Sequence, residues 1–433
     1  MQPDSLPAWL KWLEQSHSTE IDLGLERIRT VAERLQLLTP SARVITVAGT
    51  NGKGSCVAAI AALLRATGLR VGVYTSPHLR HYNERIAIDE EFATDEEICA
   101  AFSAIATSCG DISLTYFEYG TLAALDIFRQ RQVDVMVLEV GLGGRLDAVN
   151  ILSADIAVIT SIDLDHQDWL GHDREAIGAE KAGIVRPGRP LICADPAPPT
   201  SIFSAVERAG AIYLGLNSVF GYEQNETSWR WWGQSATGDS IEITDLPAPH
   251  LALPSLAAAI QVVVLAGVNL GQLDIPGQLD IGKIISELRL PGRFQSLLYE
   301  GVEVILDVAH NPAATAHLAQ RLRATPFNGR TVALLGMMID KDRLTSIQQL
   351  APVVDAWYLV DISTIGRAAS TVQLTQDLHQ LTLSPEGVGT VEECLAAARQ
   401  TLTPQDRILV CGSFYTVAAA LAVLEPSTDS GSA

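Results

Sequence analysis

The chain has 433 residues, 48% of them hydrophobic and 18% charged, which is enough apolar material to bury the cores of two or three domains and too much for a disordered polymer. A formal charge of −20 at pH 7 and a pI of about 4.8 exclude nucleic acid and an anionic membrane as expected partners. A protein this acidic must gather its few cations wherever it handles an anion, so lysines and arginines in glycine-rich motifs carry the most information.

The first residues, with Pro3, Asp4 and Pro7, lack a basic segment ahead of an apolar one, so no secretory signal is expected. Arg43 to Ala48 is a β-branched run that reads as a strand, followed by glycines and an alanine-rich helix from about Cys56 to Thr67, ended by Gly68. Leu69 to Tyr74 reads as a second strand, and Thr94 caps a helix over Asp95 to Thr107. Val133 to Val140 and Asp155 to Thr160 are continuous apolar runs of the kind buried on both faces of a parallel sheet. Tyr213 to Thr244 breaks the alternation and reads as an antiparallel excursion, its Trp229, Trp231 and Trp232 taken as packing.

Leu251 to Leu270 is interrupted by Pro254, Ser255, Gln261 and Gly267, which suits a buried helix rather than the ~18 unbroken apolar residues of a membrane span. A Gly-, Asp- and Pro-rich stretch follows, then a short helix and Leu290-Pro291-Gly292-Arg293. The alternation then restarts: strand to Asp307, helix from Pro312, strand Thr331 to Leu335, helix near Leu344 and strand Ala356 to Val360. Helices around Leu374 and Leu395, strand Ile408 to Cys411, a helix from Phe414 and a polar tail from Pro426 to Ala433 complete it. Alternating strands and helices predict doubly wound α/β units, with residues 1–289 and 290–433 as the two domains. Cys56, Cys99, Cys109, Cys193, Cys394 and Cys411 are scattered, as expected for reduced thiols in a cytoplasmic protein.

The strongest motif is Gly49-Thr50-Asn51-Gly52-Lys53-Gly54-Ser55, between a strand and a helix. Backbone N–H groups there can surround phosphates, Lys53 can neutralise them, and Ser55 offers a hydroxyl to magnesium. The common P-loop has its hydroxyl directly after the lysine, whereas Gly54 intervenes here, which points away from motor proteins and GTPases. Glu139 ends a strand ahead of Gly141-Leu142-Gly143-Gly144-Arg145-Leu146-Asp147, and His166 follows another. Ligands of open parallel sheets sit at the carboxyl ends of strands, so both suit a metal–nucleotide site. Lys181 reads, from its own surroundings, as a solvated helix residue. In the second half, Arg293 after Pro-Gly, Asp307 and His310 at a strand end, and Gly412-Ser413 after the last strand are explained equally well by turns and helix caps.

Together these strings resemble one family, the folylpolyglutamate synthases of the Mur ligase superfamily. They are IDLGLERI (Ile21 to Ile28), VAGTNGKGS, YTSPHL (Tyr74 to Leu79), LTYFEYGT (Leu114 to Thr121), LEVGLGGRLDAVN, DWLG, EKAGI, LPGRFQ, DVAHNP and VCGSF, running in order across almost the whole chain. The resemblance implies a Mur-type P-loop ATP-binding domain, then a smaller Rossmann-like α/β domain. The activity it implies is ATP-dependent ligation of L-glutamate to dihydropteroate and to reduced folates in a cytoplasmic monomer, with two magnesium ions and a monovalent cation such as K+.

Roles follow from the resemblance alone. Thr50, Asn51, Gly52, Lys53, Gly54 and Ser55 would hold ATP phosphates, and Ser76, Glu139, His166 and a carbamylated Lys181 would ligate magnesium. Arg293 and Asp307 would contact the nucleotide, and His310 and Ser413 would place glutamate. Asp22, Leu23, Gly24 and Leu25, with Thr115, Tyr116, Phe117, Glu118, Leu146, Asp147 and Ala148, would bind the pterin. Two positions depart from the family. Ser255 stands where members often carry a nucleotide-contacting Asn, and Ser55 stands where Thr is more usual. A monofunctional folylpolyglutamate synthase, a cell-wall Mur ligase and a non-ligating P-loop regulatory protein are the alternatives.

Overall fold

The computed structural model describes residues 2–19, 21–269, 280–325 and 327–425; the stretch 270–279 and the tail Pro426 to Ala433 lie outside them. The chain divides into two compact units, Met1–Leu288 and Arg289–Ala433, each with its own sheet. No helix among the described residues is long and apolar enough to cross a membrane.

The first unit opens with α1 (Leu6–Ser16) and α2 (Glu26–Arg34), which bury Leu6, Trp9 and Leu13, and Ile28, Val31 and Ala32. The three- and four-residue spacings put each set on one helix face. β1 (Arg43–Ala48) is buried after its first residue and leads into α3 (Lys53–Arg65). The helix starts at Lys53 rather than near Cys56, because Gly52 in a left-handed conformation turns the chain sharply enough to begin it there. Then come β2 (Val71–Tyr74), β3 (Ile86–Ile88), β4 (Glu91–Phe92), α4 (Asp95–Cys109) and α5 (Tyr116–Gln130). Both helices open with a capping box, Thr94 with Glu97 and Thr115 with Glu118. The rest of the main layer is β5 (Val135–Glu139), β6 (Ile156–Ile159), α6 (Gln167–Leu170), α7 (Arg174–Lys181), β7 (Pro190–Cys193), α8 (Thr200–Ala209) and β8 (Ile212–Gly215).

The sheet order is β4-β3-β2-β5-β1-β6-β7-β8, parallel from β2 to β8 and antiparallel at β3 and β4. β1 lies between β5 and β6, with Val47 opposite Glu139 and Ala48 opposite Ile159. The loops after these three strands therefore leave the sheet side by side.

One expectation needs correction. Tyr213 belongs to β8, which pairs in parallel with β7, so the antiparallel excursion starts later. It consists of β9 (Gly221–Gln224), β10 (Ser228–Gln234) and β11 (Ser240–Pro247), with a bulge between Trp229 and Trp231. Trp229 and Trp231 are fully buried, and Trp231 donates its indole N–H to Ala257 O of α9 (Leu253–Asn269) at 3.0 Å, so packing is their role. α9 also packs on α3, and α10 (Ile281–Glu287) ends the unit.

The second unit has β12 (Gln295–Tyr299), β13 (Val302–Leu306), α11 (Pro312–Ala324), β14 (Thr331–Leu335), α12 (Arg343–Leu350), β15 (Ala356–Val360), α13 (Thr371–Gln380), β16 (Pro385–Gly389), α14 (Val391–Thr401), β17 (Arg407–Cys411) and α15 (Phe414–Leu424). The order is β12-β13-β17-β14-β15-β16, with only β12 antiparallel. Both edge strands escape the sequence reading. β16, Pro-Glu-Gly-Val-Gly, has almost no strand propensity and is held by one-sided pairing to β15, while β12 exposes Leu298 at 75%.

Candidate active site

The glycines of the Gly49 to Ser55 loop are there for space as well as conformation. Gly49 (φ 151°) and Gly52 (φ 85°) have backbones that L side chains avoid, and a Cβ on them would lie 1.9 Å from Thr160 Oγ1 and 2.5 Å from Ser255 Oγ. Thr50 Oγ1 donates to Asp163 O at 3.1 Å and accepts from Asp163 N at 3.0 Å, and Thr50 N donates to Ser161 O at 2.8 Å. Thr160 Oγ1 donates to Asn51 O at 2.7 Å, and Asn51 N donates to Ser161 Oγ at 3.0 Å. The phosphate loop and the loop after β6 are thus one laced structure. Thr160 and Ser161 were missed in the sequence, where they read as the plain end of a strand.

Ser255 Oγ donates to Gly52 O at 3.3 Å, which ties the N-terminal end of α9 to the same turn. α3 opens with no side-chain cap and no acidic residue in its first turn, so its N-terminal end favours an anion. Lys53 Nζ folds back onto Gly49 O (3.1 Å) and Thr50 O (3.3 Å), and Ser55 is buried behind it.

Around this loop stand the residues assigned to metal. Glu139 at the end of β5 is 5% exposed and accepts a hydrogen bond from Ser76 N at 3.2 Å, so the structure brings these two together. His166, the left-handed residue before α6, lies beside Asp165, 4.0 Å from Nε2 to the nearer carboxylate oxygen. Lys181 ends α7 and is only 3% exposed, against its reading as a solvated lysine. Burial first, and then the Lys53 charge, push its amine down to about 7, opposed by Asp165.

The packing around Lys181 has a definite cause. A Cβ on Gly144 would come within 2.8 Å of the Glu180 and Lys181 carbonyl oxygens, and Arg145 N donates to Glu180 O at 2.8 Å. The GLGGR loop therefore sits directly on the end of α7. Among the described residues no three His, Cys, Asp or Glu form a metal cluster. The oxygen donors of Glu139 and Ser76 nevertheless suit a hard cation such as magnesium.

The segments that the resemblance assigns to the pterin also meet. Asp22 follows α1 and Thr115 to Glu118 begin α5, and Arg27 joins them: its Nη1 lies 2.6 Å from Asp22 Oδ2 and its Nη2 3.2 Å from Glu118 Oε1. Thr115 and Glu118 cap α5 reciprocally, Thr115 N donating to Glu118 Oε2 at 2.7 Å and Glu118 N to Thr115 Oγ1 at 3.2 Å. Burial raises the Glu118 carboxyl above its usual range against those bonds and Arg27. Phe117 packs on Gly141, where a Cβ would meet its ring at 2.7 Å, and Tyr116 meets the Tyr82 ring edge-on at 5.7 Å. Asp147 accepts from Leu142 N (2.8 Å) and Val149 N (3.1 Å), closing the loop between Leu146 and Ala148. Its burial pushes the carboxyl up to about 7 despite those bonds and Lys53.

In the second unit Arg293, Asp307, His310 and Ser413 collect around Phe414. Asp307 accepts from Phe294 N and Ala309 N, both at 2.9 Å, which laces the LPGRF turn onto the end of β13. Burial raises the Asp307 carboxyl, opposed by Arg293. The Arg293 guanidinium lies 5.0 Å from the Phe414 ring centroid, and the His310 ring 6.3 Å from it. His310 Nδ1 bonds Val308 O at 2.9 Å, and since a carbonyl only accepts, Nδ1 is the donor. Ser413 is buried and caps α15 through Thr416 N at 3.1 Å. Phe414 was missed as a site residue, although the VCGSF string ends on it.

Two family models match, the Mur ligase middle domain over residues 47–190 and the Mur ligase, glutamate ligase domain over 292–414. The fold is that of an ATP-dependent Mur-type ligase. Within that class the chain belongs to the dihydrofolate synthase/folylpolyglutamate synthase family. The dihydrofolate synthase/folylpolyglutamate synthase of Escherichia coli (strain K12) is 42% identical over 426 residues, covering 98% of this chain and 97% of its own. A solved structure of E. coli FolC in complex with DHPP and ADP matches at a TM-score of 0.90 and 42% identity, over 98% and 99% of the two chains. A bifunctional folylpolyglutamate synthase/dihydrofolate synthase with Mn, AMPPNP and L-glutamate bound matches at 0.88 and 43% identity, over 98% and 99%.

Proposed function

We propose that this chain joins L-glutamate to dihydropteroate, forming dihydrofolate, and to the terminal glutamate of tetrahydrofolate polyglutamates, with ATP converted to ADP and phosphate. The observation that carries this reading is the uncapped start of α3 with Lys53 after β1, the Ser76–Glu139 pair after the neighbouring β2 and β5, and buried Lys181 at the end of α7, close enough to feel the Lys53 charge. The first unit would be the ATP- and pterin-binding domain and the second the glutamate-ligase domain.

A carboxylate is a poor acyl donor, so its oxygen first attacks the γ-phosphorus of ATP, the bond to ADP breaks, and an acyl phosphate forms. The glutamate amine then adds to the acyl carbon, loses a proton, and phosphate departs. Lys53 and the α3 amides would hold the transferring phosphoryl group, so positioning and charge neutralisation supply most of the catalysis. Ser76, Glu139, His166 and Lys181 would hold two magnesium ions, which supply Lewis-acid charge at the phosphates; a monovalent cation such as K+ would assist. Ser255, Arg293 and Asp307 would face the nucleotide, and His310 and Ser413 the incoming glutamate.

Lys181 would act as a carbamate. Its neutral amine adds to the carbon of CO2, one C–O π pair becomes a carboxylate oxygen, and the nitrogen proton leaves to water. A buried amine that feels the Lys53 charge becomes an oxygen-bearing anion suited to magnesium. The protein would work as a cytoplasmic monomer.

The test is phosphate release from ATP with and without L-glutamate, using dihydropteroate and tetrahydrofolate as separate acceptors. Glutamate-dependent release with both is expected. Release with tetrahydrofolate alone marks a monofunctional folylpolyglutamate synthase, and glutamate-independent hydrolysis marks a nucleotide-binding regulatory protein.

A further inference from the structure

Arg27 is the last residue of the DLGLER string that the site assignments leave without a role, and it is placed to govern the rest. Its guanidinium makes a fork between two segments far apart in sequence. Nη1 reaches Asp22 Oδ2 at 2.6 Å, and Nη2 reaches Asp22 O at 2.6 Å and Glu118 Oε1 at 3.2 Å. Glu118 cannot turn away, because its other oxygen takes Thr115 N in the capping box. Asp22 is also held by His17, whose Nε2 lies 3.2 Å from the same Oδ2 and whose Nδ1 lies 2.8 Å from Ser113 Oγ. The Arg27 side chain is 27% exposed, and its Nε is buried with no hydrogen-bond partner among the described residues. A point charge cannot span a main-chain carbonyl and two carboxylates; a planar fork can.

We infer that Arg27 is the positioning residue of the pterin pocket, fixing the Asp22 to Leu25 turn against the Thr115 to Glu118 helix start so that both present one recognition surface. The inference rests on the proposed pterin-binding reading. Arg27 touches neither ATP nor glutamate in that reading, so its removal should weaken capture of the pterin and leave the chemical step alone.

The experiment compares wild type, Arg27→Met and Arg27→Lys by calorimetric binding of dihydropteroate and by separate KM values for dihydropteroate, ATP and glutamate. Arg27→Met should raise the dihydropteroate KM about tenfold or more, the usual scale for losing charge-assisted hydrogen bonds, with kcat and the other KM values within about twofold. Arg27→Lys should recover only part of the loss, and it carries the test alone if Arg27→Met is not obtained folded. An unchanged dihydropteroate KM overturns the inference, and so does a parallel loss in every parameter, which would make Arg27 merely structural. If wild type binds no dihydropteroate, the functional reading itself falls, a result visible before any variant is made.

Discussion

Thr50 and Asp163 hold each other by a reciprocal pair, the Thr50 hydroxyl donating to the Asp163 carbonyl at 3.1 Å and accepting from its amide at 3.0 Å. The hydroxyl of a phosphate-loop residue is thereby spent on the loop that carries His166. Thr50→Val keeps the shape and removes both bonds, each worth about 1 kcal/mol. We expect the ATP KM to rise about tenfold with the unfolding temperature lowered only slightly, measured by initial rates and thermal denaturation.

Lys53→Ala should abolish ligation, with kcat down by about 10³ or more, the scale of losing a preorganised charge at a transition state. The ammonium also ties Gly49 O and Thr50 O, so the loop loosens, but neither bond reaches the core and circular dichroism should be unchanged. Near-wild-type turnover would refute the phosphate role.

Asp22→Ala should impair dihydropteroate use far more than tetrahydrofolate extension. The carboxylate is exposed and anchored by Arg27 and His17, so it can turn an oxygen to pterin N–H groups at little cost to the fold. Equal losses in the two activities would argue against a substrate-specific role.

Lys181→Ala should be inactive, and high bicarbonate with a short carboxylic acid should restore part of the activity. Intact-mass analysis under CO2 should show one added carbon dioxide on the wild type and none on the variant. A fully active Lys181→Ala protein would sink the carbamate.

Asp147 makes a pH prediction. Its folded value near 7 lies above the ordinary 3.8, so between these values the folded chain keeps a proton that the unfolded chain has released. Stability from this group therefore falls as pH rises from about 4 to 7, with a slope of up to about one proton, or 1.4 kcal/mol per pH unit. Asp147→Asn should flatten that slope in urea titrations, at an overall cost because its amide cannot accept both backbone bonds. An unaltered slope would show that Asp147 ionises normally.

The central strands were legible because burial on both faces leaves an unbroken apolar run, and the phosphate loop because its glycines bracket a lysine. β8, β12 and β16 were not, since edge strands are held by one-sided pairing rather than by their own composition. Lys181 shows the same limit at the site. Nothing within EKAGI reveals that Gly144, far back in the sequence, lets another loop close over it. Arg27 and Phe414 lie within the DLGLER and VCGSF motifs, yet each bridges segments that only the folded chain brings together.

The capping box at the start of α5 has a consequence for anyone redesigning acceptor choice. Thr115 and Glu118 sit in the proposed recognition surface while also starting the helix, a cap worth about 1 kcal/mol. Substitutions there will confound selectivity with a loss of stability of that size. Tyr116 and Phe117 lie outside the cap but pack on the Tyr82 and Tyr74 rings, so diversity placed on them trades acceptor choice against ring packing instead.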